Sequence, residues 1–193
     1  MALILASSSA IRRQMLQSAG VEHRAVAPDV DESALKAETS DPVAIASELA
    51  QRKALNVGAD HPHDWVIGSD SSVSVDGRRL DKPTSLENAA DHLRYFSGKA
   101  LALTSAVALV RNGCVDWSHC ETAKLHVRLL SEAFIQTYLD AEWPDVGYCV
   151  GVFRLEGRGV QLFSAIEGNY FTILGMPLIP LLEALRQREV VPS

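Results

Sequence analysis

Apolar residues fall in short blocks along this chain, and the spacing inside each block predicts its element. Residues 2–6, ALILA, are an unbroken apolar run that reads as a buried strand. Residues 9–19 follow with helical spacing, and Gly20 ends them. After the segment around Pro28, SDPVAIASELAQRKALNV places Val43, Ala46, Leu49, Ala50, Ala54 and Val57 in one stripe of a second helix. Ser40 is its expected N-cap, with Pro42 tolerated in the first turn. DWVIGSD is a strand expected to stop at Gly68, and VSVDGRRL a hairpin turning at Asp76-Gly77. A third helix covers 84–97, capped by Thr84 or Ser85 and stopped by Gly98.

The second half continues in the same way. ALALTSAVALV, 100–110, is apolar on both faces like a central strand, and Asn112-Gly113 turns it into CVDWSHC. TAKLHVRLL alternates, so Ala123, Leu125, Val127 and Leu129 should face inward and Lys124, His126 and Arg128 water. SEAFIQTYLDA is a helix capped by Ser131, 147–168 a glycine-rich hairpin, and a final helix follows Pro177. Strands and helices interleave, but hairpins interrupt them, so the fold class is α/β with a mixed sheet flanked by helices. There is no repeat, low-complexity tract or long linker, and residues 1–193 are expected to form a single domain.

Composition narrows the partners. The 193 residues are 47% apolar and 22% charged, ordinary for a globular protein, with a net charge of −6. That surplus of acid argues against a nucleic-acid partner, so any phosphate site must be local. Cys114, Cys120 and Cys149 are odd in number and lack metal-ligand spacing, which reads as reduced thiols. ALILA is too short for a signal peptide, and no run reaches a membrane span. A cytoplasmic protein without a membrane partner is expected.

Several residues have a chemical look. Ser7, Ser8, Ser9, Arg12 and Arg13 stand where a strand gives way to a helix, either as a solvated cap or as an anion site. At about 100° per residue, Lys53 falls inside the apolar stripe of its helix. There its ammonium either snorkels or requires an anionic partner. Asp70 ends a buried strand beside small residues, as a turn residue or on the wall of a binding crevice. Lys82 precedes a helix N-terminus on a loop stiffened by Pro83, solvated or facing an anion. Asp29, Asp31 and Glu32 are either oxygen ligands for Mg²⁺ or Mn²⁺ or an acidic turn that caps the next element. Glu156 either hydrogen-bonds a ligand or closes a turn, and HPHD at 61–64 reads as surface. Phosphate loops of the GxxxxGK[ST] type, GxGxxG, GxSxG and HExxH are all missing. Cations and carboxylates near element ends suit metal-assisted chemistry on a polyphosphate.

The order LASSSAIRR, PDVDES, ELAQRKA, VIGSDSSVSVDGRRLDKP, FSG and GVFRLEGRGVQLFSAIEGNYFTILGMPL resembles the Maf family of nucleoside triphosphate pyrophosphatases, from Leu5 to about Leu185. The resemblance implies an elongated two-lobed unit with a central cleft, of Maf/ITPase-like fold. It implies hydrolysis of a nucleoside triphosphate to monophosphate and pyrophosphate with a divalent cation, Mg²⁺ or Mn²⁺. A cytoplasmic homodimer that clears non-canonical or modified nucleotides is also implied. Position by position, Asp70 matches the catalytic carboxylate. Ser7, Ser9, Arg12, Arg13, Lys53 and Lys82 match the phosphate region, and Glu32, with Asp70, the metal.

The resemblance leaves the base open. Ile11, Ser71 and Glu156 stand where branches of the family differ; Glu156 is the residue of the 7-methyl-GTP branch, whereas Gly168-Asn169-Tyr170 resembles the dTTP/UTP branch. Asp81 and Ser105 replace frequent glycines. A 7-methyl-GTP pyrophosphatase is therefore one alternative. The other is a catalytically weak nucleotide-binding regulator of cell division, against which the joint presence of Lys53, Asp70 and Lys82 argues.

Overall fold

The computed structural model describes residues 2–192. Its first strand, β1 (Leu3–Ala6), is buried on both sides, and its side chains alternate between two helical layers. Leu3 and Leu5 join a core with Met15 and Leu16 of α1 (Ala10–Ser18) and Leu181, Ala184 and Leu185 of α7 (Leu178–Gln187). Ile4 and Ala6 turn the other way, onto Ala54 and Val57 of α3 (Pro42–Asp60).

Around β1 the sheet runs β2-β1-β3-β5-β6-β7, with β4 paired to β3. Its members are β2 (Arg24–Val26), β3 (Trp65–Val75), β4 (Arg78–Leu80), β5 (Ala100–Arg111), β6 (Cys114–Val127) and β7 (Phe163–Glu167). β1 is parallel to β2 and β3, while β4 and β7 run antiparallel to their partners, so the sheet is mixed. The remaining helices are α2 (Ser33–Glu38), α4 (Leu86–Phe96), α5 (Glu132–Glu142) and α6 (Tyr170–Ile173). Among the described residues no helix is long and apolar enough to cross a membrane.

The chain divides into two compact units, each built from separated segments. The first runs to Ser71 and adds Thr104–Glu121 and the chain from Asn169; the second holds Ser72–Leu103 and Thr122–Gly168. In the second, α4 and α5 pack on each other with Leu93, Phe96, Ile135 and Leu139 buried.

Several expectations need correcting. β3 does not stop at Gly68 but continues to Val75. The glycine is there because α3 crosses so closely that a Cβ would lie 2.1 Å from Ala50 O and 2.7 Å from Ala54 N. The cap of α3 is Asp41, whose carboxylate accepts from Val43 N, and not Ser40. Val43 itself is 45% exposed; Ile45 takes its place in the buried stripe. CVDWSHC and TAKLHV are one 14-residue strand, β6. Leu129 is 81% exposed, because the strand ends at Val127 and the alternation ends with it. Residues 147–168 are not a hairpin: two 3-10 turns (Asp145–Tyr148, Arg158–Leu162) lead to β7, which pairs with β6. A Cβ on Gly159 would lie 2.4 Å from Arg154 O, so this segment folds on itself. The short elements β2, α2 and α6 carried no periodic signal.

Candidate active site

The site grows from the end of β1. Its pairing with β3 ends at Ala6 opposite Gly68, and beyond that point β3 projects past its neighbour. Ser7, buried, accepts from Ser9 N at 3.1 Å, and Ser9 caps α1 by accepting from Arg12 N. The serine cluster is thus a strand-to-helix corner that caps one first-turn donor of α1, Arg12 N.

One turn into α1, Arg12 reaches back over β3. Nε donates to Gly175 O at 2.9 Å, Nη1 to Ser69 O at 2.8 Å and Nη2 to Ser71 Oγ at 3.0 Å. Burial pushes its pKa below the usual value, and the charges of Asp70 and Glu32 oppose that shift. Arg13, next in line, is exposed.

On the other face of β3 lies the carboxylate–ammonium cluster. Successive strand residues point to opposite faces, so Asp70 turns from Ser69 and Ser71 toward α3. There Lys53 Nζ lies 2.5 Å from Asp70 Oδ1 and 2.7 Å from Glu32 Oε1. The Lys53 and Asp70 side chains are only 13% and 11% exposed, so the ammonium in the apolar stripe is paired and does not snorkel. Close packing at Gly68 sets α3 at the height that makes this pair. Partial burial would raise the Glu32 carboxyl, but hydrogen bonds and charge from Lys36 and Lys53 outweigh it and hold it at about 2. Among the described residues nothing donates to Asp70 Oδ2.

The other expected residues are placed as follows. Ser71 is partly buried and its Oγ faces Arg12, Gly175 O and Ser105. Ile11 is partly buried on α1. Lys82 and Glu156 are both exposed in the second unit, and the charges of both act on the Cys149 thiol. Asp29 and Asp31 are exposed, and Asp31 accepts from Ser33 N and Oγ in the turn that leads into α2. Asp81, exposed, pairs with Arg79. HPHD stays at the surface, with Asp64 accepting from Ala2 N and His61 beside Arg24. Sequence reasoning missed Ser69 and Gly175 as partners of Arg12 and Thr172 as the partner of Ser105, since all three act through backbone carbonyls, which leave no pattern in a sequence. The glycine at 175 was the one available signal, and its φ of 107° shows why glycine stands there.

Among the described residues no three or more His, Cys, Asp or Glu side chains gather as a metal cage. Mg²⁺ needs no such cage; it takes one or two carboxylates and fills its shell with water and phosphate oxygens. Asp70 and Glu32, two hard oxygen donors sharing one ammonium, fit that habit in donor chemistry.

Comparison with known proteins agrees with this reading of the motifs. The family described as Maf-like protein matches residues 2–188. The 7-methyl-GTP pyrophosphatase of Rhizobium etli is 44% identical over 96% of this chain and 95% of its own. The nucleoside triphosphate pyrophosphatase of Hyphomonas neptunium is 43% identical over 100% of this chain and 99% of its own. Among solved structures, a HAM1 protein from Coxiella burnetii overlaps with a TM-score of 0.44 at 15% identity, covering 66% of this chain and 73% of that one, too little to carry an argument. With its motifs in order and a family match across nearly its whole length, the chain belongs to the Maf family.

Proposed function

We propose that this protein hydrolyses a nucleoside triphosphate to the monophosphate and pyrophosphate, clearing non-canonical or modified nucleotides. The observation that carries the reading is the shared ammonium: Lys53 held between Asp70 and Glu32, on a chain whose full-length relatives are named for this activity. Asp70 Oδ2 accepts the proton of the attacking water. Lys53 exchanges a carboxylate partner for a phosphate oxygen as charge builds on the breaking α–β linkage. Ser7, Ser9 and Arg13 at the start of α1 add donors for phosphate. Lys82 at the phosphates and Ile11, Ser71 and Glu156 at the base rest on the family resemblance. Asp70 and Glu32 would hold Mg²⁺ or Mn²⁺, whose chemistry there is neutralisation of phosphate charge. The resemblance also carries a cytoplasmic homodimer, and the net charge of −6 argues against a nucleic-acid partner.

Pyrophosphate release should be screened across ordinary and modified nucleoside triphosphates with Mg²⁺ and with Mn²⁺. Asp70→Asn should lower kcat at least about 10²-fold on the best substrate without unfolding the protein. Near-normal turnover by that variant removes Asp70 from the mechanism. A relative named for 7-methyl-GTP is 44% identical and one named for nucleoside triphosphates in general 43%, which supports the narrower substrate as a second reading. Including 7-methyl-GTP in the screen separates the two. No release from any nucleotide leaves the regulator.

A further inference from the structure

We propose that Arg12 and Ser105 are positioning residues for Asp70: together they clamp β3 on both sides of it from the opposite face of the sheet. The role rests on the hydrolase reading above, but its geometry lies wholly within the first unit.

All three nitrogens of the Arg12 guanidinium are engaged by the protein. Two of the acceptors, Ser69 O and Ser71 Oγ, belong to the residues immediately before and after Asp70. β1 ends opposite Gly68, so Nη1 serves a Ser69 carbonyl beyond the reach of that strand. A planar fork holds such a pair of acceptors in a fixed spacing that a lysine ammonium does not reproduce.

Ser105 completes the device. It is fully buried on β5, with Oγ 2.8 Å from Thr172 O and 2.8 Å from Ser71 Oγ. A carbonyl can only accept, so Ser105 donates to Thr172 O, while the one Ser71 proton has two acceptors in reach, Ser105 Oγ at 2.8 Å and Gly175 O at 3.2 Å. Ser71 in turn accepts from Arg12. The guanidinium, Ser71, Ser105 and the carbonyls of Thr172 and Gly175 thus form one connected network behind Asp70. Gly175 O accepts from Arg12 Nε at 2.9 Å, which ties the α6–α7 junction to the same point, and the buried Ser69 hydroxyl lies within reach of both Ala106 O at 2.8 Å and Gly175 O at 2.9 Å. Asp70 is thus fixed by Lys53 on one face of β3 and by this chain of bonds on the other.

The test uses Arg12→Lys and Ser105→Ala in the intact chain, read by steady-state kinetics, pyrophosphate inhibition, thermal melting and amide exchange. Arg12→Lys should lower kcat roughly tenfold or more. KM for the best nucleotide and the inhibition constant of inorganic pyrophosphate should both stay within about twofold. Ser105→Ala should show the same pattern with a smaller fall in kcat. Both variants should speed amide hydrogen exchange in β3 at residues 69–72. A raised KM and weaker pyrophosphate inhibition, with kcat kept, would make Arg12 a phosphate ligand and overturn the proposal. A lower Tm with kcat and KM unchanged would reduce both residues to scaffold and overturn it as well. Should the wild type hydrolyse no nucleotide, the functional reading fails alone. Exchange at 69–72 then decides the clamp, and unaltered exchange in both variants refutes it.

Discussion

At the scale of single residues, Lys53 shows how far a sequence can speak. Its place in an apolar stripe already required an anionic partner or an escape to water, and both alternatives were open. The structure supplies two partners, Asp70 and Glu32. Lys53→Met keeps the bulk and removes the charge, which strands the Asp70 carboxylate while Glu32 keeps Lys36. Breaking a mostly buried pair in this way costs about 3 kcal/mol. The variant should therefore lose stability in urea unfolding as well as activity. A double-mutant cycle with Asp70→Asn should recover part of the loss, because the second change removes the stranded charge. Strict additivity in that cycle would dissolve the pair. Glu32 was harder to place from sequence, because its partners, Lys36 one turn on and Lys53 from another helix, meet it only after α2 and α3 have formed. Arg12 was visible as a cation near a helix start, yet its acceptors come from Ser69, Ser71 and Gly175, and no spacing rule connects residue 12 with residue 175.

At the scale of elements, the periodic segments were legible and the glycines were not. The stripe of α3, the Asp76-Gly77 and Asn112-Gly113 turns and the Ser85 and Ser131 caps follow from local rules. Gly68 obeys a rule of the same strength, but a glycine inside an apolar run either ends a strand or admits a close neighbour, and the sequence does not say which. Here it admits α3, whose backbone would meet a Cβ at 2.1 Å. Gly68→Ala should therefore force helix and strand apart, costing about 3 kcal/mol or more because rigid backbone stands in the way. It should also lengthen the Lys53–Asp70 pair, so activity falls along with Tm. A Tm within a few degrees of wild type would show that α3 does not pack where the structure has it. The segment 147–168 misled for the same reason. Its glycines serve contacts such as that between Gly159 and Arg154, and β7 finds its partner in β6 about forty residues back in the chain.

At the scale of the whole molecule, the route of the chain matters more than the content of either compact unit. It passes from one unit to the other within β3, between Ser71 and Ser72, and returns within β5, between Leu103 and Thr104. It leaves again within β6, between Glu121 and Thr122, and comes back at Asn169. Three of the four passages lie inside strands. Neither unit is one continuous segment, so neither can order its strands before the other has begun to order the same strands. Independent domains are joined by linkers between elements, whereas three of these passages fall within strands. We therefore expect one cooperative unfolding transition for the intact protein, with calorimetric and van't Hoff enthalpies that agree. Scanning calorimetry of the wild type checks this directly. Two resolved peaks, or a van't Hoff enthalpy near half the calorimetric one, would show that the units melt separately. Lys53→Met and Gly68→Ala strengthen the test, because both changes fall in the first unit. In a single cooperative system each shifts the whole transition to lower temperature. In a divided one, each would move only the part of the heat absorption that belongs to the first unit and leave the remainder in place.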